Sequence, residues 1–142
     1  MGQIIHAKAS EIIPCQAIVS MSRLCSLLPF FREGKQAKLF PSVICHVSLG
    51  DLVLNGHHRL VLADLFDVSL DIYRMDGPDD LIREASHPLL NRYYFAETNG
   101  VIAQNYRNAE RWAQEMHSCG YHSIHDLRLK NDITLRKLEE YF

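Results

Sequence analysis

The sequence predicts an α+β fold, with a small mixed sheet and packed helices followed by a helical C-terminal region. Up to residue 76, short apolar runs typical of strands alternate with helical patterns. Beyond the Asp76-Gly77-Pro78 break, the periodic segments have helical spacing. A chain of 142 residues with 47% hydrophobic content can bury a sizeable core. We therefore expect one domain at residues 1–76 and a helical region at residues 77–142 that packs on it.

Four segments have the pattern of strands: residues 3–7, 42–47, 52–54 and 70–75. Segment 42–47 is almost continuously apolar, which predicts burial on both faces of the sheet. Segment 70–75 alternates between two sets of side chains, and this alternation predicts a strand with one more polar face.

Two helices are predicted between these strands. The first covers residues 19–28, with Ser20 or Ser22 near its N-cap and Pro29 near its end. The polar, glycine-containing stretch that follows is predicted as a loop. The second helix covers residues 58–66, because the apolar positions there have helical spacing.

The longest predicted helix starts at Thr98 or Asn99 and ends at Gly120, a residue type that favours helix C-termini. Its apolar seam is Ile102, Tyr106, Ala109, Ala113 and Met116, widened by Trp112. The seam either packs on the protein's own core or forms a partner surface, such as a homodimer through the helix at residues 99–118. Arg107 and Arg111 are expected on a solvated face of this helix, with phosphate contact as the alternative.

Shorter helices are expected around the long one. Residues 81–85 are predicted as a helix before the His87-Pro88 break. Ser123 is predicted to cap a helix through Leu129, and Asp132 to cap a last helix with apolar residues up to Phe142.

The most informative stretch for function is Asn55-Gly56-His57-His58-Arg59, which lies between a predicted strand and a predicted helix. A strand, a glycine turn and a helix point backbone N–H groups and the positive helix end at an anion. The two histidines and the arginine can all donate hydrogen bonds to a phosphate. The alternative is structural, because Asn-Gly also forms hairpin turns and a His-His pair can cap a helix.

This stretch resembles the signature turn of the ParB/sulfiredoxin-like superfamily, and the resemblance covers residues 3–76. It includes the Glu11-Ile12-Ile13-Pro14 segment and the proline-plus-strand run that starts at Pro41. The resemblance implies a nucleotide or other phosphorylated ligand bound by residues 55–59, with hydrolysis or phosphoryl transfer as possible activities. It also implies a nucleoside triphosphate with Mg²⁺ as the cofactor. His57 and His58 would act first as phosphate donors and second as catalytic groups.

Several positions depart from the family pattern. Sulfiredoxins carry their reactive cysteine where this chain has His57, so their thiol chemistry is not expected here. Members that phosphorylate free serine use two acidic residues. Cys15 or Gln16 stands at the first of these positions and Asn55 at the second, and an amide cannot accept a proton as a carboxylate does.

Charge and composition set the alternatives. The formal net charge of −2 gives no overall basic surface, which disfavours nucleic acid as the partner. A nuclease or nucleic-acid-associated protein, and an inactive interaction scaffold, remain as second and third hypotheses. No apolar run approaches the roughly 20 residues of a membrane span, and the N-terminus does not resemble a signal peptide. We expect a cytoplasmic protein without membrane association, with Cys15, Cys25, Cys45 and Cys119 as reduced, buried thiols.

One further group could hold a metal. His117, Cys119, His122 and His125 are close in sequence and have side chains that suit zinc. Their spacing matches no standard zinc motif, and histidine is favoured at helix C-termini for electrostatic reasons. We therefore predict no metal site.

Overall fold

A computed structural model describes residues 2–83 and 96–141 of the chain. It confirms the α+β class, with a four-stranded mixed sheet and helices on both faces. The strands are β1 (Gln3–Lys8), β2 (Ser42–Val47), β3 (Gly50–Asn55) and β4 (Ser69–Met75). They lie in the order β1-β4-β2-β3, with β4 parallel to β2 and the other two pairings antiparallel.

Two helices belong to the N-terminal half, α1 (Met21–Arg32) and α2 (His57–Phe66), with a short 3₁₀ helix at Gln36–Lys38. Five more follow the sheet in the described part of the chain: α3 (Asp80–Arg83), α4 (Ala96–Arg107), α5 (Ala109–Ser118), α6 (Ile124–Lys130) and α7 (Leu135–Tyr141). Helices α1, α2, α6 and α7 contact one another, whereas α4 and α5 pack on β2 and β3.

The sheet separates two apolar cores, and β2 contributes to both. Its Ile44 packs with side chains from α1, α2 and α6, while Val43, Cys45 and Val47 pack with those from α4 and α5. This period-two alternation confirms that β2 is buried on both faces. The polar face predicted for the last strand is wrong, because Tyr73 and Met75 of β4 are also buried in the second core.

The predicted end of the first helix is wrong by about one turn. Helix α1 continues past Pro29 to Arg32. Phe31, in this last turn, is buried, and its ring centroid lies 5.8 Å from that of Phe66 in α2. Core packing therefore extends the helix beyond a residue that lacks the backbone N–H for an intrahelical hydrogen bond.

The single long helix predicted up to Gly120 is two helices, α4 and α5, which meet at Asn108. The Asn108 side-chain amide donates to the Gln104 carbonyl, and such local side-chain bonds compete with continued helix. Helix α4 already includes Asn99, so the predicted cap at Thr98 or Asn99 is wrong. The end at Gly120 is confirmed, since its N–H donates to the His117 carbonyl and its φ is +86°.

The apolar seam of α4 and α5 faces the sheet. Ile102, Ala109 and Ala113 are fully buried among residues of β2 and β3. The structure therefore shows the first of the two predicted uses of the seam, which is packing on the protein's own core.

The caps of the last two helices differ in outcome. Ser123 caps α6 as predicted, with its side chain accepting from the Asp126 N–H. Asp132 does not cap α7, because Thr134 accepts from the Lys137 N–H instead.

The predicted helix at residues 81–85 is seen as α3 only to Arg83. The His87-Pro88 break and Phe142 lie outside the described residues.

Candidate functional site

The predicted turn lies where β3 ends and α2 begins. Gly56 is the residue before the helix, with φ +87° and ψ +29°, a left-handed conformation that favours glycine. No side chain caps the helix at this position. The first N–H groups of a helix have no acceptor within it, so the start of α2 presents backbone donors and positive potential. Residues 55–59 are called the Gly56 turn below.

Neighbouring elements hold this turn in place. Ser42 Oγ of β2 donates to the Gly56 carbonyl over 3.0 Å, and the Asn55 side chain accepts from the Gly56 N–H over 2.9 Å. Asn105 of α4 donates to the Leu54 carbonyl over 3.0 Å. A Cβ on Gly56 would lie 2.5 Å from Ser42 Oγ and 2.9 Å from Ser42 Cα. The turn therefore requires glycine for its backbone angle and for space.

His57 is buried, with only 6% of its surface exposed, and it lines the cleft in front of the turn. The Gln16 side-chain nitrogen lies 3.4 Å from His57 Nδ1, while His57 Nε2 has no hydrogen-bond partner. In the tautomer that carries its proton on Nε2, the neutral ring can accept from the Gln16 amide through Nδ1. Burial lowers the pKa of His57 to about 4, and the His58 ring adds to this shift. At neutral pH His57 is thus uncharged, and its Nε2 has no hydrogen-bond partner.

His58 is equally buried but differently engaged. Its Nε2 accepts a hydrogen bond of 3.0 Å from the backbone N–H of Ser20, the residue that caps α1. A backbone N–H can only donate, so this contact requires an unprotonated Nε2. Burial, followed by the charges of Arg23 and Arg59, lowers the pKa of His58. Only Nδ1 of this ring is left for a ligand.

Arg59 faces the same cleft from the first turn of α2. Its guanidinium donates to the backbone carbonyl of Phe40, in the segment that leads into β2. This contact fixes the position of the Arg59 charge beside the Gly56 turn, and it ties the turn to the Phe40 segment.

These residues line one open cleft of about 830 Å³. Arg23, Lys38 and Arg59 contribute positive charge, and no carboxylate is found among the described residues that line it. The rest of the described lining consists of Cys15, Gln16, Ser26, Leu27, Phe30, Leu39, Phe40, Leu54, Asn55, Gly56, His57, His58, Val101 and Asn105. Three basic side chains around one cleft suit an anionic ligand.

The cleft brings together the five residues that the sequence singled out, Asn55, Gly56, His57, His58 and Arg59. It also contains Cys15 and Gln16. Burial raises the pKa of the Cys15 thiol to about 11, so it is not a thiolate at neutral pH.

Sequence reasoning missed the contributions of Arg23, Lys38 and Asn105. Arg23 precedes Ser26, Leu27 and Phe30 on α1 at spacings that place the four side chains on one helix face. The sequence could therefore have indicated that these four residues share one face of α1. Lys38 and Asn105 reach the cleft from distant elements and left no local signal.

Cys25, Cys45, Cys119 and the histidine group fall outside this site. Cys45 is buried in the second core, and burial raises its pKa to about 12, whereas Cys119 is exposed, contrary to expectation. His117 and His122 are neighbours, with 2.8 Å between their Nδ1 atoms, but His125 bonds to Asp64 instead. Within residues 2–83 and 96–141, no three or more potential ligands are grouped to hold a metal ion.

Comparisons with models of known protein families, with curated proteins and with solved structures find no match to this chain. None of the helices in the two described ranges combines the length and apolar character that crossing a bilayer requires.

Proposed function

We propose that this protein binds a phosphorylated small molecule, with nucleotides among the candidates, and holds the phosphate at the Gly56 turn. The main support for this proposal is the environment of His57. His57 is more than nine-tenths buried, yet its Nε2 has no partner and the ring lines the cleft. A buried polar atom without a partner costs free energy, and an anion at the start of α2 would accept its hydrogen bond.

The surrounding charges support an anion at this place. Arg23, Lys38 and Arg59 line the cleft from three different elements. The resemblance of the turn to the ParB/sulfiredoxin-like superfamily supports the same ligand class. In the proposed complex, backbone N–H groups after Gly56 and His57 Nε2 donate to phosphate oxygens, and the basic residues neutralise the charge.

The proposal is one of binding, with phosphoryl transfer or hydrolysis as a second step to be tested. A general base works best when its pKa lies near the working pH, and the pKa of about 4 makes free His57 a weak base. An adjacent phosphate would raise that pKa. Mg²⁺ prefers oxygen ligands, and in the proposed complex the ligand's own phosphates supply them.

A thermal-shift panel tests the proposal. Wild type and Arg59→Ala are melted with ATP, ADP, CTP, GTP and inorganic phosphate, each with and without Mg²⁺. A ligand present at 100 times its Kd stabilises by about 2.7 kcal/mol, which raises the melting temperature by about 8 °C at this chain length. We expect a shift for at least one of these ligands, and its loss in Arg59→Ala.

Two further variants make the panel interpretable. Arg111→Ala is the matched control, since Arg111 is an exposed arginine on α5 whose ion pair with Glu115 lies outside the cleft. Arg23→Ala removes a cleft charge without breaking the Arg59 contact to Phe40. If Arg59→Ala and Arg23→Ala both fold and bind every ligand as wild type does, the proposal is wrong. Steeply salt-dependent binding of DNA instead would favour the nucleic-acid hypothesis.

A further inference from the structure

Helix α1 presents two different stripes of side chains. Leu24, Cys25, Leu28 and Phe31 are buried in the first core. Arg23, Ser26, Leu27 and Phe30 line the cleft, at relative positions 0, 3, 4 and 7. Such positions lie on one face of a helix. The helix therefore builds one wall of the cleft with a face that differs from its main core face.

The chemistry of this wall changes along the helix. Arg23 is at the end near the Gly56 turn, where its charge acts on His58. Phe30 comes seven residues later, roughly 10 Å further along the helix axis. The wall thus runs from a cationic end beside the turn to an apolar end.

Other elements add apolar side chains to the lining of the cleft. Leu39 and Phe40 contribute from the segment before β2, and Val101 from α4. Phe30 and Phe40 are 37% and 40% exposed, and Val101 is 60% exposed. Covering such side chains with an apolar group removes their surface from water, which is favourable. Aromatic rings also prefer other rings as neighbours.

The size of the cleft also indicates a ligand with an organic part. Its volume of about 830 Å³ is in the range of roughly 300–1,000 Å³ that organic ligands occupy, far more than a free phosphate fills. The Gly56 turn accounts for only one end of that space. The other end must take the organic part of the ligand.

We propose that the ligand of this cleft is a phosphate monoester with an apolar, ring-shaped organic group, which lies against Phe30 and Phe40. This inference rests on the proposed function, because the phosphate is placed at the Gly56 turn. It adds a selectivity that the turn alone does not provide, namely rejection of small polar phosphate esters.

Calorimetric titration with three probes tests the inference. Phenyl phosphate and glycerol 3-phosphate carry the same monoester group on a ring and on a polar chain, and inorganic phosphate has no organic group. We expect phenyl phosphate to bind wild type at least tenfold more tightly than glycerol 3-phosphate. In Phe30→Ala and Phe40→Ala, we expect this preference to fall to threefold or less, with the affinity for inorganic phosphate unchanged.

The variants are chosen so that folding does not decide the outcome. Both phenylalanines are partly exposed, and Phe40→Ala keeps the backbone carbonyl that accepts from Arg59. Leu129→Ala is the matched control, because Leu129 is an exposed apolar residue of α6 outside the cleft lining. It should leave all three affinities unchanged.

Each remaining outcome has a distinct meaning. Equal affinity of wild type for phenyl phosphate and glycerol 3-phosphate would overturn the inference and leave the phosphate site standing. A preference for phenyl phosphate that survives in both phenylalanine variants would overturn the placement of the ring. Failure of all three probes to bind would overturn the inference, and the proposed function as well if the nucleotide panel is also negative.

Discussion

Two helices that pack against each other, α2 and α6, begin in opposite ways. At the start of α6, the N–H groups of Ile124 and His125 donate to the backbone carbonyls of Ile12 and Ser10. The Ser123 side chain accepts from the Asp126 N–H. At the start of α2, Gly56 provides no side-chain cap and the helix opens towards a cleft. Every helix start has positive potential, but only one whose donors are not taken up by the protein can serve a ligand.

The histidines at these two helix starts repeat the contrast. His125 of α6 bonds through Nδ1 to Asp64, which also accepts from Arg128. His57 of α2 has a buried Nε2 without a partner. The start of α6 therefore stabilises the packing of α6 on α2, whereas the start of α2 has the features of a binding site. The following predictions test this difference, from the largest effect to the smallest.

Gly56→Ala should have the largest effect. The added Cβ would clash with Ser42 and occupy a left-handed backbone conformation, so we expect a loss of about 4 kcal/mol in the free energy of unfolding. Urea denaturation measures it. Gly34→Ala is the control, since Gly34 also has a positive φ but nothing within 4 Å of its added Cβ. Equal losses in the two variants would show that the Gly56 turn is not sterically restricted.

His57 should make stability depend on pH. Its pKa is about 4 in the folded protein and about 6.5 when unfolded, so the unfolded chain takes up the proton first as pH falls. The stabilisation is present above pH 6.5 and declines by about 3 kcal/mol as pH falls to 4. Urea midpoints at several pH values should show this decline in wild type and a shallower one in His57→Asn. If the urea midpoints of wild type and His57→Asn depend on pH with the same slope, His57 is not the source of the pH dependence.

Anion binding should be tighter at lower pH. An anion beside His57 raises the pKa of the ring, so the complex takes up a proton that the free protein does not. Sulfate keeps its charge of −2 between pH 5 and 7, which isolates the contribution of the protein. We expect about tenfold tighter sulfate binding at pH 5 than at pH 7, an effect of about 1.4 kcal/mol.

The control for sulfate is His57→Gln, which retains a donor but does not titrate. Its sulfate affinity should vary much less over the same pH range. If wild type and this variant show the same pH dependence, His57 is not the group that takes up the proton.

Ser123→Ala should have the smallest effect. Loss of the cap on α6 is expected to cost about 1 kcal/mol in the free energy of unfolding. Ligand affinity should not change, because the start of α6 is occupied within the protein. A change in affinity for phosphate would mean that the two helix starts are coupled, and the contrast drawn between them would need revision.

Much of the fold was predictable from local patterns. The nearly continuous apolar run of β2, the serine cap of α6 and the glycine at the end of α5 are all patterns between near neighbours in the chain. The wrong predictions concern places where contacts between distant residues override the local sequence pattern. Packing of Phe31 against Phe66 carries α1 past Pro29, and burial of Tyr73 under α4 and α5 covers the face of β4 expected to be polar.

Of the candidate site, only residues 55–59 were predictable from the sequence. Residues 55–59 are contiguous, so their pattern could be read directly as a turn before a helix. The assignment to the ParB/sulfiredoxin-like superfamily and the domain boundary at residue 76 stay predictions. Arg23, Lys38 and the apolar wall of the cleft come from other elements, and their convergence depends on the packing of the whole chain.

By itself, the sequence determined the left-handed turn, because glycine adopts that backbone angle without steric cost. The tertiary structure decided the chemical state of the two adjacent histidines. The Ser20 N–H engages His58 Nε2, while burial leaves His57 Nε2 without a partner. Both states depend on residues about 40 positions away, and no local pattern encodes such a contact, since it forms only when α1 packs on α2.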